Sequence, residues 1–421
     1  MTSAGTPLRR DGLTWLIYTQ FIVFGYFLYG FTPSVTLLRD DEHVSDAIAG
    51  LHGTAYAIGV IVIGAIGARI LAVVGRNRGF WMFLGVLCVG IGLYASVPVL
   101  PLTLLGAAIA GAGGSGVLLT ASATLVDHHG AAGPAAITEA NAFSAAIGLL
   151  APLVVAASVD AGYGWRPALL IVIPALVTLF LCRHAFGHGL DREPIIAGAP
   201  DAEPVSIGPV RLGRPYWITW AIVVACVSIE FCMTLWSAQL LRDQDGLGKA
   251  AAATGVTAIV GGLAVGRALS SRLAARRSTD WLLARAFALN AVGFAVFWLS
   301  HVGIWAFVGL AICGLGMALQ YPIGVARAIR AAVAVGPPDQ AARRSNLASA
   351  GLSLGTGISI GVAPFVLGSL ADRIGIRYAF LLVPLLIALA GVALLVAHRP
   401  QPPLPQIATN RDTGLPEGWA E

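Results

Sequence analysis

Charge is what this chain has least of. Only 11% of its 421 residues are Asp, Glu, Lys or Arg, and 57% are hydrophobic, whereas a soluble domain carries about 25% charged residues. A soluble globular protein is thereby excluded. The net charge of +5 is assigned to loops at a membrane surface, and no nucleic-acid partner is expected. The five cysteines (Cys88, Cys182, Cys226, Cys232, Cys313) lie in or beside apolar blocks. Without paired or metal-ligand spacing they imply neither a disulfide framework nor a zinc site. Asp127-His128-His129 has no further His or Cys cluster nearby, so no metal is expected there. No phosphate-cradling Gly-x-x-x-x-Gly-Lys-Ser/Thr run occurs, which argues against direct ATP hydrolysis. No nucleophile–base constellation is visible, so the chain is not expected to be an enzyme or to hold a cofactor. Met1–Arg10 lacks a signal-peptide cleavage pattern, and the first apolar block is read as a retained helix. No Arg or Lys is expected at the midplane of any span, which argues against nitrate, phosphate or dicarboxylate as substrate.

What remains is apolar sequence in blocks of about 20 residues, each long enough to cross a hydrocarbon core of about 30 Å as a helix. Twelve helices are predicted, near 13–38, 45–71, 79–97, 101–126, 135–158, 165–183, 215–241, 247–268, 281–300, 303–329, 345–368 and 378–397. The fold class is an all-α polytopic membrane protein with twelve transmembrane helices in two pseudo-symmetric six-helix bundles. The 51 glycines fit that reading, because small residues let membrane helices approach closely. With both termini cytoplasmic, 20 of the 26 Lys and Arg fall in inner segments and 6 in outer ones. The positive-inside rule therefore sets the termini inside a plasma (inner) membrane. The expected organisation is a cytoplasmic N-terminus (1–12), a first bundle (13–183), a cytoplasmic linker (184–214), a second bundle (215–397) and a polar tail (398–421).

The halves echo each other. Gly164-Trp165-Arg166 and Gly375-Ile376-Arg377 open the sixth and twelfth helices, 211 residues apart. GAIGAR (Gly64–Arg69) and GLAVGR (Gly262–Arg267) stand 198 apart. Parallel repeats around a midplane site are a recurring transporter plan. Over residues 13–397 the chain resembles the major facilitator superfamily. The glycine–acid–arginine loop signature of that family is matched by GARILAVVGRNR, which keeps Gly67, Gly75, Arg76 and Arg78 but has Ala or Val at the acidic position. A fuller copy, GSLADRIGIR (Gly368–Arg377), precedes the last helix on the other side. SDAIAGLHGTAYAIG and GLGMALQYPIG also resemble the family, and Gly148 with Pro152 partly matches its antiporter motif. The resemblance implies a secondary transporter working by alternating access. It is also similar to multidrug antiporters in placing an acid on the seventh helix.

That acid is Glu230, the one formally charged residue between Trp217 and Leu241. A carboxylate at the bilayer centre costs about 2.5–3.5 kcal/mol on insertion scales and more on others. Cys226, Thr234 and Ser237 share its helical face. Glu230 is assigned to proton coupling or substrate binding, with a protonated structural carboxyl as the alternative. Desolvation and nearby charge act oppositely on a carboxyl, so a proton and a substrate cation can compete for it. Gln20, Phe24, Phe27, Thr234, Ser237, Gln320 and Tyr321 are candidates for the substrate cavity. Arg69, Arg267 and Pro322 are candidates for gating, Pro322 because proline can kink a helix. Trp220 and Trp236 divide between cavity and anchoring roles. His52 is read as a hydrogen-bonded structural residue, with a proton role as the alternative.

Function is read as a proton-coupled exporter of a hydrophobic or cationic compound. The alternative is a proton-linked or facilitative importer of a neutral polar solute such as a sugar. A non-transporting receptor of the same fold comes third. Expected partners are a small-molecule substrate, protons and membrane lipid, with the chain acting as a monomer.

Overall fold

The computed structural model describes residues 10–181, 212–274, 278–335 and 340–397. Most of the expected N-terminus and linker, and all of the expected tail, lie outside the described residues. Among these residues there is no strand. The helices are α1 (Gly12–Glu42), α2 (Asp46–Val74), α3 (Arg76–Ser96), α4 (Leu100–His129), α5 (Gly133–Gly148 and Leu150–Asp160) and α6 (Arg166–Leu170 and Val172–Leu181). The second set is α7 (Arg214–Asp245), α8 (Lys249–Ala253 and Gly255–Ala274), α9 (Thr279–Leu299), α10 (Gly303–Val333), α11 (Ala341–Ile374) and α12 (Ile376–Ala379 and Leu382–Ala397). Eleven are long and apolar enough to cross a membrane, and the apolar Arg166–Leu181 is a shorter twelfth. The face where α1 begins is called proximal, and the opposite face distal.

Local sequence explains where the helices start, break and overrun. Asp11 caps α1 by accepting from Thr14 N at 2.9 Å, and Ser45 caps α2 by accepting from Ile48 N at 3.3 Å. Each cap satisfies a backbone donor that the first turn leaves orphaned. Helices α5, α6 and α12 were expected to be continuous, but each is interrupted near residue 149, 171 or 380. Pro152, Pro174 and Pro384 lie just beyond these points. A proline supplies no N–H to the carbonyl four residues earlier and its ring crowds that carbonyl. Helix α11 was expected over 345–368 but runs Ala341–Ile374. Hydropathy marks only the lipid-buried part, while the ends carrying Arg343, Asp372 and Arg373 stay helical.

Packing exposes the repeat. A Cβ on Gly59 would stand 2.0 Å from Ala108 O, and one on Gly262 would stand 2.0 Å from Ala311 O. A Cβ on Gly111 would stand 2.1 Å from Tyr56 O, and one on Gly314 2.0 Å from Ile259 O. Gly90 with Ala110 and Gly293 with Cys313 form a third such pair of contacts. Every partner lies 203 residues on (59 to 262, 111 to 314, 90 to 293). Thus α2–α4 and α8–α10 are the same three-helix packing made twice, at backbone-to-backbone distances that only glycine permits. Outside these seams the surface is aliphatic, with Leu395 and Ile304 exposed, as contact with lipid tails requires.

Gly59→Leu and Gly262→Leu should each lower the thermal unfolding temperature of the detergent-solubilised protein, as overpacking costs about 1–3 kcal/mol. Gly85, beside which nothing lies within 4 Å, is the control, and Gly85→Ala should unfold with the wild type. Equal unfolding temperatures for all three variants would contradict this account of the seams.

Candidate functional site between the two halves

The halves α1–α6 and α7–α12 meet on the distal side. Asp40 of α1 pairs with Arg242 of α7 at 2.8 Å and Lys249 of α8 at 2.9 Å, and with its neighbour Arg39 at 3.0 Å. Asp372 of α11 accepts from the N–H groups of Asp46 and Ala47, both at 2.8 Å. A carboxylate at a helix N-terminus satisfies free donors and favours the dipole. Pro364 gives no N–H to α11, and within that stretch the Thr54 hydroxyl of α2 donates to Gly361 O at 2.6 Å. Gly50 lies against the Phe365 backbone, where a Cβ would come within 3.1 Å. Together these contacts seal the distal side.

On the proximal side the halves diverge around a cavity of about 1060 Å³. Its walls come from α2, α4, α10 and α11. They are mainly aliphatic, with Ser115, Ser122, Ser353, Thr356 and Tyr321 as polar points. Asp127, ion-paired with Arg76, stands toward its proximal rim. The structure is therefore closed distally and open proximally.

Glu230 lies near the middle of α7, about 22 Å from the distal end at 1.5 Å per residue, and Arg267 lies about 27 Å from the distal end of α8. An arginine side chain spans the offset of about 5 Å. The Arg267 guanidinium is in electrostatic reach of both Glu230 and Tyr29 of α1. Arg267 is exposed and Glu230 partly so; Glu230 stands near the middle of α7 and Arg267 toward the proximal end of its span. A membrane protein tolerates such groups where they face one another or a water-filled space. Tyr29 belongs to the first half, so the Arg267–Tyr29 interaction crosses the interface beneath the distal seal.

As expected, Arg267 lies toward the inner end of its span, two residues before the end of the apolar stretch Lys249–Leu269, much as Arg69 lies five residues before the end of α2. The 198-residue echo had aligned Arg267 with Arg69, whereas the packing repeat of 203 aligns it with Gly64. Gly64 lines the cavity, and its counterpart Arg267 is in electrostatic reach of Tyr29 of the first half. From sequence, Tyr29 lies near Gln20 but on another face of α1, and no role is assigned to it. The signal that could have revealed the alignment is the glycine spacing of α4 and α10: Gly106, Gly111 and Gly113 recur as Gly309, Gly314 and Gly316.

The expected cavity residues are divided by burial. Tyr321 lines the cavity. Gln20, Phe24, Phe27, Thr234, Ser237 and Gln320 are buried in helix packing in this distal-closed state. The Phe24 ring fills the notch beside Gly114, and Phe27 packs on Phe31. Thr234 donates back to Glu230 O at 2.9 Å, and Gln320 Nε2 reaches Ala286 O at 3.5 Å. The side-chain amide of Gln20, the hydroxyl of Ser237 and Oε1 of Gln320 have no hydrogen-bond partner. Trp220 and Trp236 donate to Gly351 O and Pro364 O of α11 at 2.7 and 2.9 Å, so both pin α7 to α11. Arg69 is exposed, and α10 continues through Pro322 without a break. No metal-ligand cluster occurs among the described residues.

Comparisons with known proteins agree with this geometry. Similar folds include a bacterial homologue of the human lysosomal transporter Spinster in an inward-facing, occupied conformation. Its TM-score is 0.65 at 15% identity, covering 92% of this chain and 95% of that one. A point variant of the Escherichia coli fucose:proton symporter FucP has a TM-score of 0.60 at 15% identity, covering 93% and 100%. A major facilitator transporter, FucP, in the outward conformation has a TM-score of 0.59 at 17% identity, covering 92% and 99%. No curated protein sequence matches. The Major Facilitator Superfamily profile matches residues 17–343, most of the chain, and with the twelve-helix repeat around a central cavity it identifies this protein as a member of that superfamily.

Proposed function

We propose that this chain is a proton-coupled secondary transporter that moves an amphiphilic small molecule by alternating access of its two halves. The observation that carries the reading is the Glu230–Arg267–Tyr29 cluster. It sets a mid-helix carboxyl within reach of a cation on the next helix, beside the interface that must open and close. A proton on Glu230 removes the negative partner of Arg267 and leaves the cation to attract an acidic or electron-rich headgroup. An ionised Glu230 instead favours a cationic headgroup or Arg267 itself. Proton and headgroup therefore act through one local field. The aliphatic cavity walls suit an apolar body.

The lack of a cation at the centre of a span weighs against acidic substrates, while Arg267 near Glu230 leaves room for an acidic headgroup. A hydrophobic or cationic compound stays within the class. The arginine excess on the proximal side supports a cytoplasmic proximal face, with both termini there and the protein in the plasma membrane. One chain supplies both halves of the cavity, so the working unit is a monomer. Import of a neutral polar solute is the second reading. It is favoured by the buried, unpartnered amide of Gln20, and one protein of similar fold is a fucose:proton symporter.

In proteoliposomes under an imposed pH gradient, Glu230→Gln should cut gradient-driven flux of an amphiphile about tenfold or more, within the range of typical site–site coupling. Counterflow exchange of the same compound should persist. A neutral sugar carried equally well by wild type and variant would sink the carboxylate-centred reading in favour of the second one. A separate test replaces Asp40 and Arg242 by cysteines. Cross-linking the pair should stop flux, and full-rate flux in cross-linked protein would rule out rocking of the halves.

A further inference from the structure

Three side chains form a hydrogen-bonded chain near the distal face of the first half, apart from Glu230. Glu42 ends α1, Thr103 lies in the first turn of α4, and His52 lies about two turns into α2. Thr103 Oγ1 is 2.8 Å from Glu42 Oε1 and 3.0 Å from His52 Nε2. His52 Nδ1 is 3.0 Å from Ala49 O. His52 and Thr103 expose no surface, and Glu42 Oε2 is buried without a hydrogen-bond partner.

The hydrogens of this chain can be counted. A backbone carbonyl only accepts, so His52 Nδ1 carries a hydrogen. The Thr103 hydroxyl also reaches the carbonyls of its own first turn, Leu100 O at 3.0 Å and Val99 O at 3.5 Å. Turned there, it would leave both side-chain neighbours to donate to it; otherwise it has one hydrogen for two side-chain neighbours. If it points to Glu42, its oxygen must accept from Nε2, and His52 is an imidazolium facing a carboxylate. If it points to His52, Nε2 is bare, and the contact with Glu42 is a hydrogen bond only when the carboxyl carries the hydrogen. Each of these two arrangements holds one proton more than a neutral histidine beside a carboxylate. They interconvert when the hydroxyl turns and a proton passes along the chain, so the pair titrates as a unit. Without that proton, at least one short contact sets lone pair against lone pair in a dry site, where an unmade hydrogen bond is costly.

The surroundings do not remove the need for the proton. Asp41 of α1 and Arg166 of α6 both act on Glu42, but Arg166 is already bonded to Asp41 at 2.6 Å, and Trp165 Nε1 donates to Asp41 at 2.9 Å. Tyr94 of α3 presents its ring 6.0 Å from the His52 ring and spends its hydroxyl on Ser34 at 2.8 Å. The chain also adjoins the distal seal. Glu42 closely follows Asp40, and His52 lies between Gly50 and Gly53, which pack on Phe365 and on Ile360 O of α11.

We infer that Glu42, Thr103 and His52 form a second proton-binding site, which holds one proton while the distal side is closed and loses it as that side opens. The link to opening rests on the alternating-access reading, whereas the proton count does not.

The test uses spin labels at Val97 and His301, exposed positions on distal loops of the two halves. The full chain is placed in lipid nanodiscs with its native cysteines replaced and with Glu230→Gln, so that Glu230 cannot contribute to the titration. Pulsed EPR distances are read from about pH 5 to about pH 8, where histidine exchanges protons. The short-distance, closed population should fall as pH rises. Glu42→Gln should hold it closed throughout, because the amide N–H can donate to Thr103 and Thr103 to His52. Thr103→Ser should keep the titration and Thr103→Val should lose it, which tests the site even if the Glu42 variant fails to fold. A Glu42→Gln protein that titrates like its parent overturns the site. A flat response in protein that still performs counterflow exchange also overturns it and leaves the transporter reading standing. A flat response without exchange overturns both.

Discussion

An ionised side chain in hydrocarbon must face protein or water, and Glu230 and Arg267 impose that condition on everything around them. Between their charged ends, helices α7 and α8 are otherwise without charge, so each can expose aliphatic residues to lipid only if its charged side turns inward. Tyr29 supplies the complement from the other half. The interface beneath the distal seal is thus closed partly by a polar interaction, which a change of charge can weaken. An interface made of aliphatic packing alone would not respond to a proton.

The scaffold holding this cluster is symmetric, but the cluster is not. Glycines 203 residues apart bring α2 against α4 and α8 against α10 at the same backbone distances. In the first half the position equivalent to Arg267 is Gly64, and the position equivalent to Glu230 is Phe27. One half therefore offers an open wall and a packed aromatic ring where the other offers a cation and an acid. Two like bundles can rock against each other as rigid bodies, and the chemistry is concentrated in one of them.

The seal obeys the same physics. Its strongest elements are a carboxylate bridging Arg242 and Lys249, and a second carboxylate on the N-terminus of α2. The Asp372 contact explains why the fuller copy of the loop signature sits on the distal side. There an acid has a helix end to bind, whereas GARILAVVGRNR on the proximal side lacks the acid, and that side stands open.

Much of the fold was legible because hydropathy reports directly on lipid contact, and twelve apolar blocks became twelve helices. Helix ends were less legible, since polar termini stay helical and Pro152, Pro174 and Pro384 break helices without changing hydropathy. The site was legible only where a residue was anomalous by itself. Glu230 stood out, but Tyr29 is one of several aromatics on α1. Arg267 needed the correct repeat alignment, which glycine spacing carries and the GAIGAR echo obscures. Burial separated Tyr321 from Gln20 and Gln320, a distinction set by the rotation of each helix against its neighbours. The account's central claim is that the Glu230–Arg267 cluster is reached from the proximal side alone in this state. The most direct measurement is labelling of Arg267→Cys, in a background without other cysteines, by a membrane-impermeant thiol reagent applied to each face of sealed vesicles. Modification from the proximal face, with protection from the distal face, is the predicted result. Equal modification from both faces, or from the distal face alone, would contradict the account.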